Sequence, residues 1–562
     1  MAVKRQKLVA DFETTTDPED VRVWASCAVD IETSKVVHLD NSIDSFFHYL
    51  RDKNTVCYFH NLKFDGQFIL YWLLSNGYKH VENPKNSGEF GTLITDDGIF
   101  YSITVIFQKL NKAYKKVVFY DSFKKLPFKV SVIAKAFKLE DSKGEIDYNA
   151  YRPTGHQLTE EEKEYIIKDC RIVAQALKIQ FDQGLTKMTN ASDALAGYKN
   201  IINPRNFERW FPVFPVHLDA DMRQAYKGGF VYLNPKYKGV HIKQPSVVLD
   251  VNSLYPSRMY DELLPYGYPI FFEGEPEEDP DYPIYILRVR CAFELKADHI
   301  PCIQLKNNKS YVETEYLTDS RTKKGGVLEI VEFTVTSVDW ALIQEQYKLL
   351  NVEYVCGWKF KATKGMFKDY IDFWGHVKET NTGALRQLAK LMLNSLYGKF
   401  ATNPKTRQKI PVLDYDGIVK YKISDPELRD PVYTPMACFI TAYARNLTIR
   451  SAQSVYDRFI YADTDSLHLI GSDIPENLQV HPTKLGFWAH EASCTESKFL
   501  RAKTYIETID DEIHVTCAGM PENIKEFVNY DNFDFGNSFN GKLKPKACPG
   551  GVVLVDTPFT FK

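Results

Sequence analysis

Residues 458–470 read RFIYADTDSLHLI, a hairpin-like unit with apolar, β-prone residues on either side of a short acidic string. Strand alternation places Asp463 and Asp465 on one face. Far upstream, VVLDVNSLYP (247–256) is a β-branched strand running into Asp250. Acids gathered at strand ends make a platform for divalent cations. Between these stretches TGALRQLAKLMLNSLYGKF (382–400) predicts a helix. On it Arg386, Lys390, Asn394 and Tyr397 follow at steps of four, four and three, one continuous stripe, while Leu385, Leu388 and Met392 face elsewhere. Gly398 is expected at the cap. From 380 to 413 there are six basic residues (Arg386, Lys390, Lys399, Lys405, Arg407, Lys409) and no acid, in a chain of net charge −3. A solvated face is the ordinary explanation of such a stripe. A triphosphate would suit this one, and Tyr397 within it is more than solubility requires.

A second acidic set lies in the N-terminal third. KLVADFE reads as a strand with Asp11 and Glu13 on one face, VRVWASCAVD and KVVHLD as a hairpin around Thr33-Ser34, and TVCYFHN as a further strand leading into the helical FILYWLL. Asp65 ends the HNLKFD turn. From Thr159 a capping box with Glu162 opens a helix that Gly184 stops, and on it Tyr165 and Asp169 share a face at i and i+4. Crowded carboxylates repel unless a cation offsets them, so their natural filling is one or two Mg²⁺ ions, an arrangement suited to phosphodiester hydrolysis. A lone Asp-x-Glu is usually a solvated strand end; the set carries the weight.

The chain has 562 residues, 44% hydrophobic and 14% aromatic, enough for several cores and too apolar for disorder. Near-balanced charge gives no overall positive field, so any basic groove is local. No apolar run approaches the roughly 18 residues of a membrane span and no secretory h-region opens the chain. A soluble, non-secreted intracellular protein is expected. The ten scattered cysteines form neither a zinc pattern nor a disulfide framework. Residues 262–365, with the acid- and proline-rich EGEPEEDPDYP, look like inserted structure, and the last fifty residues like short strands around KLKPK and a PGG turn.

In this order DFET, FHNLKFDG and YIIKD resemble the three exonuclease motifs of the DNA-polymerase proofreading domain, an RNase H-like fold, while DVNSLYP, KLMLNSLYG and YADTDS are similar to the A, B and C motifs of family B DNA polymerases. The resemblance implies an α+β multidomain chain: an N-terminal RNase H-like 3'-5' exonuclease domain and a right-hand polymerase domain with palm, fingers, thumb and two insertions. It assigns metal binding in the first site to Asp11, Glu13, Asp65 and Asp169, water orientation to Tyr165, and an extra catalytic lysine to Lys143. His60, Asn61, Phe64, Phe68, Ser122 and Tyr148 would hold a frayed 3' end, the aromatics by stacking on bases. Phe123 departs from the leucine usual in that contact motif.

In the second site Asp250, the Val251 carbonyl and Asp465 would hold two catalytic metals, with Asp463 in support; the ions are Mg²⁺, two per active site, with Mn²⁺ able to substitute. Lys390 and Arg386 would grip the triphosphate with help from Lys378. Tyr255 would exclude a 2'-OH, and Tyr397 and Asn394 would check the nascent pair. Ala462 stands where many members have Gly. AYKGGF (225–230) resembles the YxGG motif linking the two sites, giving Tyr226, Gly228 and Gly229, and RAKTY (501–505) the KxY motif, giving Lys503 and Tyr505 as primer contacts.

The pattern is that of the protein-primed subgroup found in small Bacillus phages, of the phi-twenty-nine type. It implies an exonuclease domain over 1–190, palm over 191–261 and 435–516, a terminal-protein-contacting insertion over 262–365, fingers over 366–401, a strand-displacing insertion over 402–434, and a thumb over 517–562 that sets Lys542, Lys544 and Lys546 against DNA phosphates. The expected partners are a DNA primer-template, dNTPs and a terminal-protein primer, for a monomer in the cytoplasm of a bacterial host. A nuclease with a decayed second site is the alternative enzyme, against which Asp250 and Asp465 speak. A DNA-scaffold protein would show an extended basic surface instead.

Overall fold

The computed structural model describes residues 5–110, 113–305, 316–322 and 326–562. Its first module is built on an eight-stranded mixed sheet. Gln6–Thr14 lies parallel to Thr55–Phe59, which lies parallel to Ala113–Asp121, while Val23–Asp30 and Val36–Asp40 run antiparallel on the other side, as the sequence hairpin requires. Alternation along Gln6–Thr14 decides what each face meets. Leu8, Ala10 and Phe12 join the core under helix Leu62–Ser75, whereas Val9 joins that under helix Glu160–Asp182. Asp11 and Glu13 therefore point toward the second helix. That helix has the expected capping box: Thr159 Oγ1 accepts from the Glu162 N–H at 3.2 Å and Glu162 Oε2 from the Thr159 N–H at 3.0 Å. Gly184, at φ +76°, follows its end.

The second module centres on another eight-stranded sheet, in which Ser246–Val251 lies between Ser466–Ile470 and Trp488–Arg501, antiparallel to both. Val247 and Leu249 are buried in its core. Helix Thr434–Ser454 packs against this sheet and against helices Leu254–Asp261, Val216–Arg223 and Gly383–Phe400. Gly398 lies inside this last helix, whose C-cap is Ala401, so the expected glycine cap is corrected. The Ala401 N–H bonds the Gly398 carbonyl, and the turn closes without a left-handed residue.

The middle insertion forms a four-stranded antiparallel sheet in the order Leu264–Glu273, Tyr347–Thr363, Ile284–Leu295 and Val331–Thr336, with helix Ser337–Gln346. The second insertion carries the hairpin Lys409–Leu413/Val419–Ile423. Its Val419 is buried in the core of the first module, and Leu413 and Tyr421 pack on that core. The C-terminal run is not a set of short strands but one long hairpin, Ser538–Cys548 with Gly551–Thr560. The consecutive Val552 and Val553 of its second strand are both buried, and Val552 enters the first module's core. At the tip Gly551 approaches Phe68 so closely that a β-carbon would lie 2.5 Å from the ring, and a β-carbon on Gly417 of the second insertion would meet Pro549 at 3.7 Å. Among the described residues no helix is long and apolar enough to cross a membrane.

Candidate active sites

The four N-terminal acids converge. Asp65 sits in the first turn of helix Leu62–Ser75, opened by Asn61 in a left-handed conformation at φ +69° and held by the Asn61 and Leu62 N–H groups donating to Asp121 Oδ1. Burial and the nearby Asp169 raise Asp11 to about 7. Burial first, then the neighbouring acids, holds Glu13 and Asp65 well above the usual carboxylate range. Asp169 is also raised by burial, despite the Lys143 ammonium 2.9 Å from its Oδ2. Tyr165 and Tyr148 join through their hydroxyls at 2.5 Å, and burial, with Tyr148, pushes the Tyr165 phenol up.

Among the described residues no three His, Cys, Asp or Glu side chains are turned into a ready-made metal cage. The donor set nonetheless fits hard cations. Asp65 Oδ1 and Asp169 Oδ1 are buried with no hydrogen-bond partner, and the repulsion among the four acids is incompletely offset by the positive charge of Lys143 and, at Glu13, of Arg152.

The residues expected to hold a 3' end divide. His60 is oriented from both sides, Nδ1 with Ser122 Oγ at 3.0 Å and Nε2 with the Phe128 carbonyl at 2.8 Å, and its ring is 5.5 Å from the half-exposed Phe123. Asn61, Phe64 and Tyr148 reach the surface of the site. Phe68 and Ser122 do not. Ser122 is fully buried and bonds His60, while Phe68 is 1% exposed, its ring covered by Gly551. The sequence hid this because the covering residue lies in the C-terminal hairpin.

In the second site the Val251 N–H donates to the Asp465 carbonyl at 2.7 Å, fastening the Ser246–Val251 strand end to the DTD turn. Burial, then Asp465 and Glu491, raises Asp250 to about 7; burial, Asp463 and Glu491 raise Asp465. Strand alternation does not align the two hairpin aspartates. Thr464 has φ +61° and ends the strand between them. Asp463 closes its strand, accepts from the Tyr461 hydroxyl at 3.2 Å and grips Lys503 Nζ at 2.6 and 2.7 Å, whereas Asp465 lies in the turn and faces Asp250. Lys503 is thus engaged by Asp463, with Tyr505 packed on Tyr461.

Glu491 escaped sequence analysis. It occupies a bulge where the pairing of Trp488–Arg501 with Ser246–Val251 shifts register, two residues along from Ala489, which pairs with Asp250, and its charge reaches Asp250.

The cationic stripe converges as its spacing predicts. Burial and the Lys390 and Arg386 charges lower Lys378, whose Nζ donates to Ser253 Oγ at 3.2 Å, and Arg386 donates to the Lys378 carbonyl at 2.7 Å. Lys390 and Asn394 are exposed, while Tyr397 stacks on Tyr255 at 4.1 Å. Tyr226 lies within electrostatic reach of Tyr397. The Phe230 carbonyl accepts from the Thr464 N–H at 2.6 Å, and a β-carbon on Gly229 would come within 2.6 Å of Thr464 Oγ1, so glycine is required where this loop crosses the DTD turn. Gly228 has no such restriction, but its carbonyl and that of Lys227 each accept from Arg445 Nη1 at 2.9 Å, a buried guanidinium also paired with Asp339. Lys542 donates to the Gly519 carbonyl at 2.8 Å, whereas Lys544 and Lys546 are exposed on the same strand. A cavity of about 650 Å³ opens where Phe123 and Lys124, Ser395 and Lys399 of the cationic helix, and Arg407 and Arg429 of the second insertion meet.

The profile of the family described as DNA polymerase type B, organellar and viral, matches residues 48–154 and 146–481. The DNA polymerase of Bacillus phage Nf is 48% identical over 580 residues, covering 100% of each chain, and that of Bacillus phage phi29 is 48% identical, covering 99% of each. The phi29 DNA polymerase complexed with primer-template DNA and incoming nucleotide substrates superposes with a TM-score of 0.94 at 47% identity, covering 99% of this chain and 100% of that one. Full-length likeness at this level, on a scaffold that gathers the same acids its motifs single out, leads to one conclusion: the chain belongs to the organellar and viral DNA polymerases of type B.

Proposed function

We propose that this DNA polymerase of the phi29 type combines two chemistries, primer extension at Asp250 and Asp465 and 3'-5' proofreading at Asp11, Glu13, Asp65 and Asp169. The carrying observation is that buried acids cluster at two separate places, each with its own lysine and tyrosine partners. Two Mg²⁺ ions per site, replaceable by Mn²⁺, would supply charge neutralisation and nucleophile activation. The chain's own residues do the rest. Arg386, Lys390 and Lys378 hold the triphosphate, the Tyr255 ring excludes a ribose hydroxyl, and Tyr165 with Lys143 orients the attacking water over Asp169. Related solved structures hold primer-template DNA, incoming nucleotides or single-stranded DNA, which supports DNA and dNTPs as partners here.

Initiation on a terminal protein, contacted by 262–365, and strand displacement past the 402–434 insertion complete the reading, for a monomer working in a bacterial host's cytoplasm. The hairpin tip at Gly417 meeting Pro549 supports a ring closed around DNA. The test is a labelled primer-template with Mg²⁺. Asp250→Ala or Asp465→Ala should abolish extension and keep end trimming, and Asp11→Ala with Glu13→Ala the reverse. Loss of both activities in a folded Asp250→Ala protein refutes two independent centres. Deleting 262–365 should impair initiation on terminal protein more than DNA-primed synthesis; equal loss of both refutes that role.

A further inference from the structure

Arg223 ends helix Val216–Arg223, three residues before Tyr226. Its guanidinium joins three segments. Nε donates to Asp219 Oδ2 at 3.0 Å, Nη1 to the Ala401 carbonyl at 2.7 Å, and Nη2 to the Thr402 carbonyl at 3.1 Å and to Thr434 Oγ1 at 2.5 Å. The Thr434 hydroxyl in turn donates to Asp219 Oδ1, and both Asp219 and Thr434 are completely buried. Ala401 is the C-cap of helix Gly383–Phe400, and Thr402 and Thr434 are the two roots of the second insertion. A cation forked onto the last carbonyls of a helix satisfies otherwise open acceptors and complements the helix dipole.

We propose that Arg223, oriented by Asp219 and Thr434, is a positioning residue for nucleotide addition, fixing the C-terminal end of the helix that grips the incoming triphosphate. The inference rests on the nucleotide-binding roles proposed above for Arg386 and Lys390. At 1.5 Å per residue Arg386 stands about 22 Å from the Arg223 fork, Lys390 about 16 Å and Tyr397 about 6 Å. A tilt of about 5° at the fork would displace them by about 2, 1.4 and 0.5 Å respectively, on the same rise per residue. The far cations suffer most, and the Tyr255–Tyr397 stack, 4.1 Å apart, least. Disturbing Arg223 should therefore weaken triphosphate binding while sparing sugar discrimination and end trimming.

The test is steady-state extension by Arg223→Gln and Arg223→Lys, with DNA affinity and melting temperature measured on the same preparations. For Arg223→Gln the KM for dNTP should rise about tenfold, equivalent to about 1.4 kcal/mol, with kcat and the preference for deoxynucleotides within about twofold. Arg223→Lys, which can still reach one carbonyl, should show a smaller rise. An unchanged KM beside a reduced active fraction makes Arg223 merely structural and overturns the proposal. If Arg223→Gln does not fold, Thr434→Val, which removes only the bridging hydroxyl, decides on the same readout: a rise of about threefold supports the proposal and none overturns it. Lys390→Ala runs in parallel. No change in its KM defeats the nucleotide-site reading itself; a rise there but none in the Arg223 variants defeats this inference alone.

Discussion

Replacing Asp11 by asparagine removes one charge from the crowded acids of the N-terminal site. Asp11 is raised from an ordinary 3.8 to about 7. The unfolded chain loses this proton near 3.8 while the fold retains it to about 7, so the unfolded state binds fewer protons over that window and stability falls as pH rises through it. Above pH 7 the cost is complete. At about 1.4 kcal/mol per tenfold change in proton affinity it amounts to about 4 kcal/mol. An amide must still be desolvated, at about 1–2 kcal/mol, and its carbonyl oxygen can still accept from the Phe12 N–H, as Asp11 Oδ1 does at 3.1 Å.

The metal-free Asp11→Asn variant should thus gain about 2 kcal/mol at pH 8, or about 4–8 °C in the unfolding of the first module, and almost nothing near pH 4. Thermal scans with a chelator, paired with hydrogen exchange in helix Glu160–Asp182, measure it. Millimolar Mg²⁺ should stabilise the unmodified protein more than the variant. A variant less stable than its parent at pH 8, or a difference independent of pH, would refute the electrostatic account.

Three further outcomes are expected. Gly229→Ala should lower extension about tenfold or more by driving its β-carbon into Thr464, and Thr464→Gly should rescue it; failure of rescue denies that contact. Lys544→Ala and Lys546→Ala should each reduce the slope of log K against log salt for DNA binding by about one, whereas Lys542→Ala, already committed to Gly519, should not; equal slopes for all three would contradict the geometry. Tyr255→Val should cut discrimination against ribonucleotides at least about tenfold, read from the ratio of kcat/KM values, and an unchanged ratio would remove Tyr255 from that role.

The elements that announced themselves were those whose signal is local. The Thr159/Glu162 box, the Asp11/Glu13 alternation and the Arg386–Tyr397 stripe each fix a face within a few residues, and the structure places them as the periodicities require. What stayed hidden depends on distant partners or irregular backbone. Glu491 belongs to a strand more than two hundred residues from Asp250, Arg445 serves backbone carbonyls, and Phe68 is covered by a glycine near the far end of the chain. Gly398 shows the opposite error, a local rule overruled by a helix that Leu396 and Phe400 keep packed through its last turn.

Val419 and Val552 complete a core whose other members come from the first module. During synthesis that module leaves the ribosome long before either valine exists, by on the order of 10–50 s for Val419 and 20–70 s for Val552 at bacterial elongation rates of about 5–20 residues per second. Until then its apolar flank is exposed, open to chaperones and to aggregation. Nascent chains halted before residue 419, and those halted between 419 and 552, should differ in protease resistance of their amino-terminal portion, and any chimera must exchange all three pieces together.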